Sequence, residues 1–211
     1  MKRRQLLERA AILATAAAAS SLRPAGAQPA RRVPTPAQTE GPFYPVEPPR
    51  EVDADLMAIG GAPYRRGEPL LLRGTVQNLD GQPVVGAVVE IWQCDADGHY
   101  HHPGDGGRAD ASFQGYGRVA VDGAGRYAFR AMRPVPYPGR TPHIHVKVLR
   151  GARTLLTTQM YVAGEPLNAR DGLLRSLRDT AERDALVVPL AREAASGAWA
   201  AQFPIVLDLR A

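Results

Sequence analysis

The run Leu70-Leu71-Leu72-Arg73-Gly74-Thr75-Val76-Gln77, followed by Asn78-Leu79-Asp80-Gly81 and then by Val84-Val85-Gly86-Ala87-Val88-Val89-Glu90-Ile91-Trp92-Gln93, sets the class of fold. Val, Leu and Ile pack well on a pleated surface, and Asn, Asp and Gly between them supply turn chemistry. The stretch predicts strand, turn and second strand, with Val84, Val88, Ile91 and Trp92 as the bulk of the second. The same grammar continues downstream. Tyr116 to Val121 and Tyr127 to Ala131 flank Asp122-Gly123-Ala124-Gly125, which predicts a hairpin, and His143 to Leu149 and Leu155 to Val162 flank Arg150-Gly151-Ala152-Arg153. Phe203 to Leu209 alternates apolar and polar residues and is expected to close a sheet edge. One amphipathic helix is expected, Asp171 to Leu186, with Leu173, Leu174, Leu177 and Ala181 at helical spacing.

Composition agrees with an all-β domain. At 211 residues, 45% of them hydrophobic and 22% charged, the chain can bury a core. Its 21 Gly and 19 Pro fit many turns better than long helices. Residues 94–115 hold Asp, Gly and His without periodicity and are expected to form a long loop, which in a compact domain is usually functional.

The N-terminus has its own logic. Lys2, Arg3 and Arg4 precede an apolar run from Ala10 to Leu22, and Ala25-Gly26-Ala27 offers a small-residue cleavage site. This order predicts an export signal over residues 1–27, with Arg3-Arg4 similar to a twin-arginine signal and a periplasmic destination. The apolar run falls short of the ~20 residues that span a bilayer, so no stable membrane anchor is expected. Residues 1–27 hold five of the 26 Lys and Arg and one of the 21 Asp and Glu, so the remainder carries 21 against 20. The formal net charge of +5 thus belongs mostly to the leader, and no nucleic-acid partner is expected. Cys94 is the only cysteine, which excludes an internal disulfide. Residues 28–69 are expected to be an irregular arm packed across a domain spanning 70–211. Within it, Thr39-Glu40-Gly41-Pro42-Phe43-Tyr44-Pro45 is too Pro-rich for a central strand and too aromatic for a free linker.

Four side chains carry the chemical interest. His143 and His145 stand at i and i+2, so in a strand both point to one face and could share a metal ion, while Ile144 faces the core. Tyr100 lies at the end of Trp92-Gln93-Cys94-Asp95-Ala96-Asp97-Gly98-His99-Tyr100. Tyr137 sits between Pro136 and Pro138, whose fixed φ angles aim its ring from a rigid turn. Phenolate is a hard anionic donor and imidazole a borderline one, a combination that suits trivalent iron better than zinc or copper(I). His99, His101 and His102 flank Tyr100 and leave an alternative metal set open, although an extended stretch would turn His99 and His101 away from that ring.

Trp92-Gln93 with Tyr100, Phe113-Gln114-Gly115-Tyr116-Gly117-Arg118, Asp122, Gly125 and Tyr127, Pro136-Tyr137-Pro138, Arg140, Pro142-His143-Ile144-His145 and Thr158-Gln159-Met160-Tyr161 together resemble the intradiol ring-cleavage dioxygenases, with the protocatechuate 3,4-dioxygenase branch nearest. The likeness runs from about residue 39 to 165. It implies a prealbumin-like β-sandwich with long active-site loops, and makes 70–211 the catalytic domain. Carried over residue by residue, it makes Tyr100, Tyr137, His143 and His145 ligands of Fe(III). Arg140 would stand beside the substrate ring, Gln159 at the pocket edge and Trp92 in its wall, with Gly41 and Pro42 leading into the pocket. Tyr137 would also take a substrate proton. The implied partners are O2 and a catechol-like aromatic, cleaved between its hydroxylated carbons to a muconate-type diacid. Pro142 stands where the protocatechuate enzymes carry Ala, and the loop before His143 is shorter. The resemblance leaves room for a homo-oligomer, although no heptad or flat apolar helix face shows how one would form.

Two other classes compete. Arg73-Gly74-Thr75-Val76, Asp80-Gly81 and Pro83-Val84 also resemble non-catalytic prealbumin-like binding modules, and a shared fold does not confer function. A zinc hydrolase is disfavoured, because no carboxylate or His-x-x-Glu pattern accompanies the histidine pair.

Overall fold

A computed structural model describes residues 32–47 and 49–210. The expected export signal at 1–27 lies outside them. After an irregular arm, the first regular elements are two short strands, β1 (Ala58–Ile59) and β2 (Ala62–Pro63), paired with each other. Then come β3 (Pro69–Asn78), β4 (Val88–Trp92), β5 (Tyr116–Ala120), β6 (Arg126–Met132), β7 (His143–Arg150) and β8 (Arg153–Val162). Two helices, α1 (Gly172–Ser176) and α2 (Thr180–Asp184), precede β9 (Val187–Val188), β10 (Ala191–Arg192), β11 (Trp199–Gln202) and β12 (Ile205–Leu207). No helix among the described residues is long and apolar enough to cross a membrane.

Two five-stranded sheets make the sandwich. In the first, β3 pairs antiparallel with β6 along one edge and parallel with β11 and then β12 along the other. The second has the order β5-β4-β7-β8-β9. Between them lie Leu70, Leu72 and Val76 of β3, Val89 and Ile91 of β4, Phe129 of β6, Ile144, Val146 and Val148 of β7, and Phe203, Ile205 and Leu207, all buried in one cluster. The all-β sandwich expected from the sequence is the architecture found.

Three local expectations change. The turn at Asp122–Gly125 forms, with Gly125 N–H donating to Asp122 O at 2.8 Å, but β5 and β6 do not make a hairpin ladder. β5 joins β4, whereas β6 pairs with seven residues of β3 in the opposite sheet. A tight turn fixes the reversal and not the sheet that receives each arm; the long pairing with β3 decides that. The single helix over Asp171–Leu186 is two helices. Leu177 is extended, and Asp179 caps a new start by accepting from Ala181 N–H at 2.7 Å, the competition that makes Asp poor inside a helix. At the end of the chain, the sheet edge is lined by β11 as well as by β12. Pro204, which has no N–H to give a ladder, marks the break between them.

Strand alternation positions the site. Because Ile144, Val146 and Val148 face the core, His143, His145 and Lys147 face outward, and the arm covers that outer face. Gln38 N–H donates to Thr157 O at 2.9 Å and Thr158 Oγ1 to Pro36 O at 2.8 Å, fastening the arm to β8.

Candidate metal centre

Register builds the floor of the site. Trp92 of β4 is opposite Tyr116 on one side and His145 on the other, and His145 is opposite Gln159 of β8. Trp92 stacks on His145 with ring centroids 4.7 Å apart and planes 7° from parallel, which holds the imidazole upright. His143 lies opposite Tyr161.

The two tyrosines arrive from loops. Asp95, fully buried, bends the first loop: its Oδ1 accepts from Asp97 N–H and His99 N–H at 2.9 Å each, and its Oδ2 from Asp110 N–H at 2.7 Å. Asp105 Oδ2 then accepts from Tyr100 N–H at 2.7 Å. Gly98, at φ 85°, lets this loop press against the Pro136-Tyr137 turn, since a Cβ there would sit 3.2 Å from that of Tyr137. The second turn is closed by Arg140 N–H donating to Tyr137 O at 2.9 Å.

All four sequence-nominated ligands meet. His143 Nε2 and His145 Nε2 are 3.2 Å apart. The Tyr100 ring is 5.6 Å from that of Tyr137 and 5.9 Å from that of His145, and Tyr137 is 5.4 Å from His143. Thr141 O can only accept, so the 2.6 Å contact from His143 Nδ1 puts the proton on that nitrogen and leaves the Nε2 lone pair facing the cluster. The buried Tyr100 hydroxyl makes no hydrogen bond, a costly state that a cation between the rings would relieve. Among the described residues no group of three or more His, Cys, Asp or Glu gathers for a metal, which leaves these phenols and imidazoles as the candidate donor set.

Electrostatics agree with neutral donors awaiting a charge. Burial pushes the Tyr100 hydroxyl well above the ordinary phenol range, with Cys94 and Tyr137 adding to it. Tyr137 is raised by burial but pulled back by Arg140. His143 falls to about 4, chiefly through burial and then through Arg140, and His145 lies well below the ordinary imidazole value through burial, His143 and Arg140. A multiply charged cation reverses the phenol preference while needing the imidazoles as they are.

Arg140 reaches the same cluster. Its Nη1 is 3.4 Å from the Tyr137 hydroxyl, and its Nη2 donates to Gln159 Oε1 at 2.5 Å. Gln159 Nε2 in turn donates to Thr39 O at 3.1 Å. Gly41, at φ 74°, crosses over the histidines, and a Cβ there would stand 3.3 Å from His145 Cε1; Pro42 follows it on the exposed side. Of the flanking histidines, His101 Nε2 contacts Phe113 O at 2.6 Å, His99 Nδ1 lies 3.4 Å from Asp105, and His102 Nδ1 accepts from Gly104 N–H at 3.0 Å. Each is engaged elsewhere in its own loop.

Three features escaped the sequence reading. Lys147 is buried on the outer face of β7, ion-paired with Glu40 and 3.6 Å from the centre of the Tyr44 ring, while the Tyr44 hydroxyl donates to Glu90 at 2.8 Å. A charge on the face of a strand two residues from a histidine pair was the available signal. Asp171, seen only as the start of a helical run, binds Arg140 at 2.8 Å. Thr141, between Arg140 and Pro142, belongs to none of the motifs quoted from the sequence. A cavity of about 410 Å³ borders the cluster, sharing Trp92, Tyr100 and Phe43 with it but not Arg140, Tyr137 or Gln159. A larger hollow of about 690 Å³, lined by Arg73, Val119, Arg126 and Tyr127, shares none of the site residues.

A family model described as Dioxygenase matches residues 39–209. The chain is 37% identical over 161 residues to the protocatechuate 3,4-dioxygenase beta chain of Burkholderia cepacia, covering 69% of this chain and 66% of that one. It is 33% identical over 167 residues to the hydroxyquinol 1,2-dioxygenase of Rhodococcus opacus, covering 71% and 53%. The chain thus spans between about half and two thirds of these curated relatives. Among solved structures, the dioxygenase domain of a carbohydrate-binding fusion protein from Streptomyces sp. SirexAA-E superposes with a TM-score of 0.65 at 32% identity, covering 83% of this chain and 99% of that one. Catechol 1,2-dioxygenase from Acinetobacter sp. ADP1 superposes with a TM-score of 0.62 at 30% identity, covering 82% and 62%.

Proposed function

The chain belongs to the intradiol ring-cleavage dioxygenases, and from that membership we propose that it uses Fe(III) and O2 to open a catechol-like ring between its two hydroxylated carbons, giving a muconate-type diacid. The observation that carries the proposal is the meeting of Tyr100, Tyr137, His143 and His145 beside the guanidinium of Arg140. Bound by those four side chains, ferric iron would supply Lewis acidity, drawing electron density from a catecholate so that it reacts with O2.

The chain's own residues supply the rest. Tyr137, less deeply buried than Tyr100 and set in an exposed Pro-rich turn, is the tyrosine suited to yield its place and, as the phenolate that metal binding would leave, to take a substrate hydroxyl proton on its Oη. Arg140 offers a permanent positive charge in a half-buried setting, where negative charge accumulating on the ring is poorly screened by water. Gln159 bridges Arg140 and the arm backbone at Thr39, so the guanidinium and the segment bearing Gly41 keep a fixed separation. Trp92 behind His145 and Phe43 stacked 4.8 Å from Tyr100 exclude water from the back of the cluster.

Purified protein loaded with iron tests this directly. A broad visible absorption from tyrosinate-to-iron charge transfer is expected, weakened in Tyr100→Phe, together with oxygen uptake on at least one member of a catechol panel. A folded, iron-replete protein that is colourless and consumes no oxygen would overturn the proposal.

A further inference from the structure

We infer that Asp171 is a positioning residue for Arg140, and that the segment from Asn168 to Asp171 is the clasp that sets the cationic side of the site. The inference rests on the proposed function for its kinetic consequence, but its structural basis is separate. The Asp171 side chain has no solvent exposure and receives four donors. Oδ1 accepts from Leu173 N–H and Leu174 N–H at 3.0 Å each, capping α1. Oδ2 accepts from Arg140 Nε–H at 2.8 Å and from Thr141 N–H at 3.1 Å.

The contact at Nε is the informative one. A guanidinium is planar, so a fixed Nε–H orients the whole fork and sets where the two amino groups point. Those are the groups that face Tyr137, Gln159 and Tyr161. Without the carboxylate, the arginine stem could swing its charge toward water. The same carboxylate also accepts from Thr141 N–H, one peptide group before the carbonyl that orients His143 through Nδ1. Asn168 secures Thr141 from the other side, with Thr141 Oγ1 donating to Asn168 Oδ1 and Asn168 Nδ2 donating to Val162 O, both at 2.7 Å. One short segment therefore governs the direction of both the cation and a histidine. Burial opposes ionisation of Asp171, yet the Leu174 and Thr141 N–H groups and Arg140 together bring its carboxyl below the ordinary range. The pair thus holds a guanidinium beside the cluster before any anionic substrate arrives.

Ser and Asn both cap helices about as well as Asp, which separates the two duties of this residue. In iron-loaded Asp171→Ser, iron content, the visible band and cooperative unfolding should stay near those of the parent, while kcat on catechol falls about 10- to 100-fold, the usual range for supporting residues around a metal site. Anaerobic titration with catechol should show weakened binding without turnover. Combining the change with Arg140→Gln should cost little beyond Arg140→Gln alone. Should the serine variant not fold, Asp171→Asn keeps both cap and volume and should show the same pattern. Wild-type kcat in either variant, loss additive with that of Arg140→Gln, or loss of the visible band would overturn the inference. In metal-free protein, the Arg140 Nε–H resonance should exchange slowly in the parent and rapidly in the variant. That change in a protein inactive on every catechol would sustain the positioning role and refute the enzymatic proposal; its absence would refute the positioning role.

Discussion

His143 and His145 are held neutral by burial, both with pKa values below that of an exposed imidazole, near ~6.5. In that interval the unfolded chain binds more protons than the folded one, so stability rises with pH across it. For the metal-free protein, this contribution should be complete above about pH 6.5 and lost as pH falls toward about 4. Melting temperature against pH after chelation measures it, and His143→Gln should flatten the slope; an unchanged slope would contradict the assignment of the depressed imidazole. The histidine pair was legible in the sequence because strand alternation puts i and i+2 on one face. The tyrosines were legible because two prolines and a long irregular loop single them out. Asp171 was not, because an acidic residue ahead of Gly-Leu-Leu reads as a cap, and the cap and the arginine partner are two oxygens of one carboxylate.

The arm is the element on which the mouth of the site depends. It is fixed by hydrogen bonds to β8 and by Lys147, whose ammonium meets both Glu40 and the face of Tyr44. Lys147→Met keeps the length of the stem and its burial but removes the charge, so β7 should remain intact while the Gly41 segment loosens. The expected result is a raised KM for catechol with kcat much less affected, read from initial rates. A drop confined to kcat would mean that the arm orders the reacting centre itself. Elements were read well where periodicity was strict, as in β7 and β8, and less well where a local signal had two outcomes. The Asp122–Gly125 turn permits either a hairpin or a corner between sheets, and only partners far along the chain choose between them. The Asp171–Leu186 run has helical spacing throughout, but Asp179 finds a closer hydrogen bond than the helix offers it.

For the molecule as a whole, the sandwich depends on residues 199–207. They lie along one edge of β3, and Phe203, Ile205 and Leu207 enter the core. Burial of such side chains contributes about 1.5–3 kcal/mol each. Together they match a large part of the ~5–15 kcal/mol by which domains are stable. A chain terminated after Gly197 should therefore show no cooperative unfolding by circular dichroism; a sharp transition would show that the first sheet stands without them. The alternation at 203–209 announced a strand but not its partner, because parallel pairing with a strand so distant in sequence leaves no local trace. That pairing also bears on biosynthesis. Leu70 meets Trp199 only long after β3 and its other neighbour β6 have been translated, so a nascent chain emerging from the ribosome carries one unpaired edge of β3 until β11 follows. That interval is when this protein most needs a chaperone, and the danger it faces then is edge-to-edge association with its own unfinished copies.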